Sequence, residues 1–145
     1  MIKMTPLMKD LLDKALADGT PCLIGTASKD GRPQISPKGS VAVFSDDMLS
    51  YWERSHRSSQ KRIGENPNVT VYYRNPARKE NPYRASCIRF HGKARLVANG
   101  PERDKAWTLT NHEEQSKDPE KKGAAVLIDL DLIEQIDSSV IMKRD

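Results

Sequence analysis

The sequence predicts a mainly β fold with peripheral helices, built as an antiparallel barrel of about six strands. Three observations carry that prediction. Short runs rich in β-branched and aromatic residues recur along the chain. Most links between them read as hairpin turns. Helical periodicity is confined to the start and to one late segment.

The elements follow in order. Thr5-Pro6 forms a helix start, a capping hydroxyl followed by a proline whose missing N–H costs nothing there. Leu7, Met8, Leu11, Leu12, Ala15 and Leu16 then share one helical face, and Gly19 supplies the stop. "PCLIGTAS" is a first strand, "KDGR" an Asp-Gly turn and "PQISPKGSVAVF" a second strand. "MLSYWE" is a third. Ser58 to Glu65 forms a short helix ending before Asn66-Pro67, because the residue before proline disfavours helix. "NVTVYYR" is a fourth strand and "CIRFHGKARLVA" a fifth, with a bulge or close backbone approach expected at Gly92. A second helix runs from Pro101 to about Gln115. "AAVLIDLDLIEQID" and "SSVIMK" provide one or two closing strands.

At 145 residues, with neither an internal repeat nor a dividing linker, the chain reads as one domain, 1–145. Hydrophobic residues make up 37% and charged residues 30%, and no apolar run approaches the ~20 residues needed to cross a bilayer. The N-terminus lacks a secretory pattern, and Cys22 and Cys87 stand apart without metal spacing, so a cytoplasmic protein with reduced, packed thiols is expected. The net charge of +4 favours anionic partners only mildly. Basic residues interleaved with tyrosines between Tyr72 and Arg89 could track a phosphate backbone, but Glu53, Glu65 and Glu80 interrupt the surface and the sequence holds no recognised nucleic-acid module.

Several chemistries are excluded on pattern. There is no G-x-S-x-G elbow, and His56, His91 and His112 are scattered outside any zinc motif. Phosphate-binding glycine fingerprints are absent as well. What remains is "YWERSHRSSQKRIGENPNV", Tyr51 to Val69. It gathers Arg54, Arg57, Lys61 and Arg62 with Ser55, Ser58 and Ser59. Guanidinium forks, a mobile ammonium and short hydroxyls suit a phosphate, and a helix starting at Ser58 would add its N-terminal dipole. A solvated basic turn has the same composition.

The order of segments adds to this. Asp30-Gly31-Arg32-Pro33, then Ser36-Pro37, then Leu49-Ser50-Tyr51-Trp52, then Arg57-Ser58-Ser59-Gln60-Lys61, then Asn66-Pro67-Asn68-Val69 follow one another at family spacing. The chain thereby resembles the pyridoxamine 5′-phosphate oxidase-like family of FMN-binding split β-barrels, from about Thr5 to Val97. The resemblance implies a six-stranded split barrel and a homodimer with FMN between the subunits. It implies a flavin-dependent oxidoreductase passing a hydride to or from a small molecule. In cofactor roles it would place Lys38, Gly39, Ser40 and Val41 beside the ring, Tyr51 and Trp52 near the ring or ribityl chain, and Arg57, Ser58, Ser59 and Lys61 on the phosphate. No catalytic residue and no metal is assigned. Arg78, Tyr83, Arg84 and Trp107 are candidates for lining a substrate pocket. Relatives often carry Arg-Lys where this chain has Ser58-Ser59, a departure that also admits F420 or haem, or a binding protein without turnover. The ending "SSVIMKRD" lacks the Arg-rich segment of the oxidases themselves, which favours a broader reductase role.

Overall fold

A computed structural model describes residues 1–54 and 58–145, with the backbone alone at 58 and 59. Helix α1 (Pro6–Asp13) begins where expected, with Thr5 Oγ1 accepting the Met8 N–H at 3.1 Å. It is shorter than the periodicity implied. After Asp13 the chain continues as turns to Gly19, whose φ of +82° ends the run.

Strands β1 (Cys22–Ala27), β2 (Pro33–Lys38), β3 (Ala42–Ser45), β4 (Met48–Glu53), β5 (Asn68–Arg74), β6 (Cys87–Val97), β7 (Ala124–Glu134) and β8 (Val140–Lys143) form one antiparallel sheet. Its order is β2-β1-β5-β6-β7-β4-β3, with β8 also on β7. The described strands do not close a ring, because β2 and β3 stand at the two ends of this order and remain unpaired. Gly39, Ser40 and Val41 join them across the gap. The barrel is therefore split there.

Among the described residues the strands number eight rather than six, and the difference has local causes. "PQISPKGSVAVF" reads as one strand but breaks at 39–41. There the Ser40 hydroxyl stands in for a strand rung, accepting the Trp52 N–H at 3.0 Å and donating to the Trp52 carbonyl at 3.2 Å. The closing region gives two strands, β7 and β8.

Alternation along the strands builds the core. Ile24, Leu49, Tyr51, Val71, Tyr73, Ile88, Phe90, Val126, Ile128 and Leu130 are almost fully buried, and α1 adds Met8, Leu11 and Leu12. The other side of β4 and β7 holds Trp52, Ala125 and Leu127 beneath Ala106 of helix α3 (Pro101–Leu109). β7 is thus covered on both faces, which explains its nearly unbroken apolar run. At Gly92 the register between β6 and β7 shifts, and a Cβ there would overlap the Asp129 carbonyl, as the close-approach reading expects.

Helix α2 (Ser58–Glu65) forms as the sequence implies and leads into β5. The late helix, by contrast, is two helices. Thr110 is extended, and Asn111 caps a new short helix, α4 (His112–Gln115), by accepting the Glu114 N–H at 2.9 Å. Asn111 also donates to the Gly39 carbonyl at 2.8 Å. This break pins α4 against the split.

Candidate functional site at the split of the barrel

A cavity of about 280 Å³ opens at the split, lined by Pro37, Lys38, Gly39, Ser40, Trp52, Glu53, Arg54 and Glu114. The ends of β2 and β4 supply its walls, and α4 supplies Glu114. Position 53 shares a strand face with Leu49 and Tyr51, so Glu53 points inward and is buried. Lys38 meets its carboxylate with Nζ at 3.0 and 3.2 Å from the two oxygens. The same ammonium lies 5.7 Å from the Tyr51 ring centroid, a cation–π distance. A carboxylate buried this deeply requires such partners, because an isolated charge there would cost several kcal/mol.

Glu114 reaches the cavity from α4. Its side chain is only 12% exposed, and its one ion-pair partner among the described residues is Lys117 at 3.5 Å. A Cβ on Gly39 would overlap Glu114 Oε1 and approach Leu16 Cδ1 to 3.1 Å. A glycine at 39 is therefore what lets the carboxylate sit down on the β2–β3 crossover. Two carboxylates and two cations line the cavity, so it is polar without a strong net sign.

The residues singled out from the sequence divide into groups. Lys38, Gly39, Ser40 and Trp52 meet at this cavity. Val41 lies just behind it in the main core. Tyr51 is in the core too, and its hydroxyl finds no partner among the described residues. Burial raises its pKa, with Glu53 adding to the effect, so it remains a phenol. The Trp52 indole is turned toward the outer layer. Its Nε1–H donates to Asp118 at 2.8 Å, Trp107 meets it edge-on at 4.8 Å, and the Arg103 guanidinium lies 4.8 Å from its ring. Burial alone would raise the Asp118 carboxyl, yet the Trp52 indole and the Gly123 and Lys122 amides hold it below the usual range.

On the basic segment, Arg57 lies outside the described residues, as do Ser55 and His56. The backbone of Ser58 and Ser59 forms the first turn of α2. Lys61 is exposed and makes no ion pair with the described residues, whereas Arg62 is committed to the Arg32 carbonyl at 2.7 Å. Three residues separate Arg54, on the cavity rim, from Ser58, a reach of four chain steps and at most ~14 Å. The suggested substrate-pocket residues are not brought together. Arg78 is engaged by Asp10, Asp18 and Glu80, Arg84 by Asp137, and Trp107 packs on Trp52.

The outer face of β1, β2 and β5 forms a second feature. Ile35, in the middle of β2, is 71% exposed. Its partner across the strand pair is Gly25, which leaves a hollow bordered by Leu23, Ile35, Thr70 and Tyr72. Beside it His91 is held at both ring nitrogens, by Thr70 Oγ1 at 2.7 Å and Glu134 at 2.8 Å, and Arg89 pairs with the same carboxylate at 2.9 Å. Among the described residues no group of His, Cys, Asp or Glu is placed to hold a metal ion.

Sequence reasoning missed Glu53, Asn111 and Glu114. The inward alternation of β4 was a signal for Glu53. Nothing local marks Asn111 or Glu114, which reach the site through contacts more than 70 positions from Gly39.

Comparison with known proteins agrees with this architecture. HupZ from Group A Streptococcus shares 20% identity, with 98% of this chain and 99% of its own covered at a TM-score of 0.72. A pyridoxamine 5′-phosphate oxidase-related, FMN-binding protein from Nostoc punctiforme shares 11% identity, with 92% and 85% covered at a TM-score of 0.65. An F420 reductase shares 16% identity, with 87% and 94% covered at a TM-score of 0.62. At such identities the likeness is one of fold. No curated protein matches the chain. The family model described as pyridoxamine 5′-phosphate oxidase matches residues 8–136, which take in strands β1 to β7, helices α2 to α4 and most of α1. The chain belongs to the pyridoxamine 5′-phosphate oxidase family.

Proposed function

We propose that this protein is a single-domain, FMN-dependent oxidoreductase that acts as a homodimer on a small molecule in the cytoplasm. One observation carries the reading: the polar cavity at the split lies a few residues along the chain from the start of α2. A flavin mononucleotide has a polar ring edge and an anionic tail, and these two places suit its two ends. Lys38, Ser40 and Glu114 would border the ring. The first turn of α2, with the exposed ammonium of Lys61 and with Arg57, would hold the phosphate. Bound FMN supplies hydride acceptance and donation; the protein orients the ring and keeps water from it.

The second subunit follows from what one subunit lacks. A 280 Å³ cavity lies at the lower end of what a cofactor-sized ligand occupies, so a partner is needed to complete it. The hollow around Ile35, an apolar surface in the middle of a sheet face, supplies the docking surface. No helix among the described residues is long and apolar enough to cross a membrane.

The second reading is a deazaflavin, F420, or a binding role without turnover. It is favoured by Ser58 and Ser59 occupying the place of the paired cations, which leaves fewer charges for a phosphate near the ring. Combined R57A and K61A substitutions test the phosphate assignment. FMN affinity should fall roughly tenfold or more while riboflavin affinity stays within twofold, because only FMN carries the phosphate. Equal losses for both ligands would refute the phosphate assignment.

A further inference from the structure

We infer that Glu114 reads the N–H of a pyrimidinedione edge, so that the cavity is specific for ligands of the flavin or deazaflavin kind and rejects haem. The inference rests on the cavity being the cofactor site.

A carboxylate only accepts hydrogen bonds, and each of its oxygens has room for two. At Glu114 this capacity is largely unspent. Lys117 at 3.5 Å lies beyond ordinary hydrogen-bond length, and no other described residue donates to the carboxylate. The neighbouring carboxylate is in a different position, since both oxygens of Glu53 are met by Lys38. Nor is Glu114 where it is by chance of an exposed turn. Asn111 caps its helix and ties that helix to the Gly39 carbonyl, and Gly39 leaves the space its Oε1 fills. The group is thus a fixed, mostly buried acceptor on a cavity wall, and a ligand entering that cavity must bring it a donor or pay for its desolvation.

The isoalloxazine ring and its deazaflavin counterpart share one such donor in the oxidised state, the imide N–H between two carbonyls. Lys38, which also lines the cavity, is a donor of the kind those flanking carbonyls accept. Haem offers no comparable N–H once its nitrogens hold iron, and its carboxylates would face Glu53 and Glu114.

The test compares riboflavin with 3-methylriboflavin, which lacks that N–H, by quenching of flavin fluorescence. Wild-type protein should bind riboflavin roughly tenfold or more tightly than the methylated form, as expected for one charge-assisted hydrogen bond. E114A should bind both within twofold of each other. E114Q, which keeps the shape and one acceptor oxygen, should retain a reduced preference and serves if the alanine variant folds poorly. Flavin binding by the wild type with no preference, or an undiminished preference in E114A, would overturn the inference and leave the FMN reading standing. Failure of the wild type to bind any flavin would overturn both.

Discussion

Replacing Ser40 by alanine removes one hydroxyl from the β2–β3 crossover, and the structure gives that loss a size. The hydroxyl accepts the Trp52 N–H at 3.0 Å and donates to the Trp52 carbonyl at 3.2 Å, and both residues are buried. Two net hydrogen bonds at about 1 kcal/mol each set a lower bound of about 2 kcal/mol. Leaving both Trp52 backbone groups buried and unpartnered raises the expected cost to about 2–4 kcal/mol. In a chain of this length that lowers the thermal midpoint by roughly 6–12 °C. Urea unfolding at neutral pH, followed by tryptophan fluorescence, reads the change directly, since Trp52 sits at the perturbed rung. A loss below about 0.5 kcal/mol would refute the reasoning, because it would mean that the hydroxyl does not stand in for a strand rung.

Further outcomes follow from the same geometry. Asp118→Asn replaces a carboxylate that accepts three N–H donors with a group that must turn its own N–H₂ toward one of them, at a cost of about 1–3 kcal/mol near pH 7. The folded-state pKa of Asp118 is lowered, so its contribution is full above the unfolded value of about 3.9 and is lost as pH falls through the lower folded value. The stability gap between wild type and variant should therefore close in urea melts taken below about pH 4; a constant gap down to pH 2 would contradict the assignment. Ile35→Glu puts a charge in the hollow on the outer sheet face and should dissociate the proposed homodimer to monomer in sedimentation experiments, whereas a persistent dimer would place the interface elsewhere. Gly39→Ala displaces the Glu114 side chain rather than backbone, so stability should change by less than about 1 kcal/mol while riboflavin affinity drops; unchanged affinity would separate Gly39 from the site.

How far the sequence could be read depended on the range of the forces involved. Local signals were reliable. The Thr5 cap, the Asp30-Gly31 turn and the helix before Asn66-Pro67 all depend on neighbours in sequence, and each is found in the structure. Where a distant contact overrides local preference, the reading failed. The run from Pro33 to Phe44 has strand chemistry throughout, yet Ser40 leaves β2 to bond β4. The helix expected from Pro101 to about Gln115 breaks at Thr110 because Asn111 serves both as a cap and as a tie to Gly39. The candidate site shows the same division. Lys38, Gly39, Ser40 and Trp52 were legible because they lie in ordered motifs along the chain. Glu114 was not, because only the folded chain carries it to the β2–β3 crossover. The resemblance implied Tyr51 near the ring or ribityl chain, but the alternation that turns Glu53 inward also buries Tyr51 in the core.

The central claim is that the split of the barrel holds FMN, and the most direct test is a titration of the purified protein with FMN under absorption and fluorescence. The account predicts saturable quenching of flavin fluorescence with shifted absorption bands, at one FMN per chain. Unaltered flavin spectra with protein in large excess over FMN would contradict it.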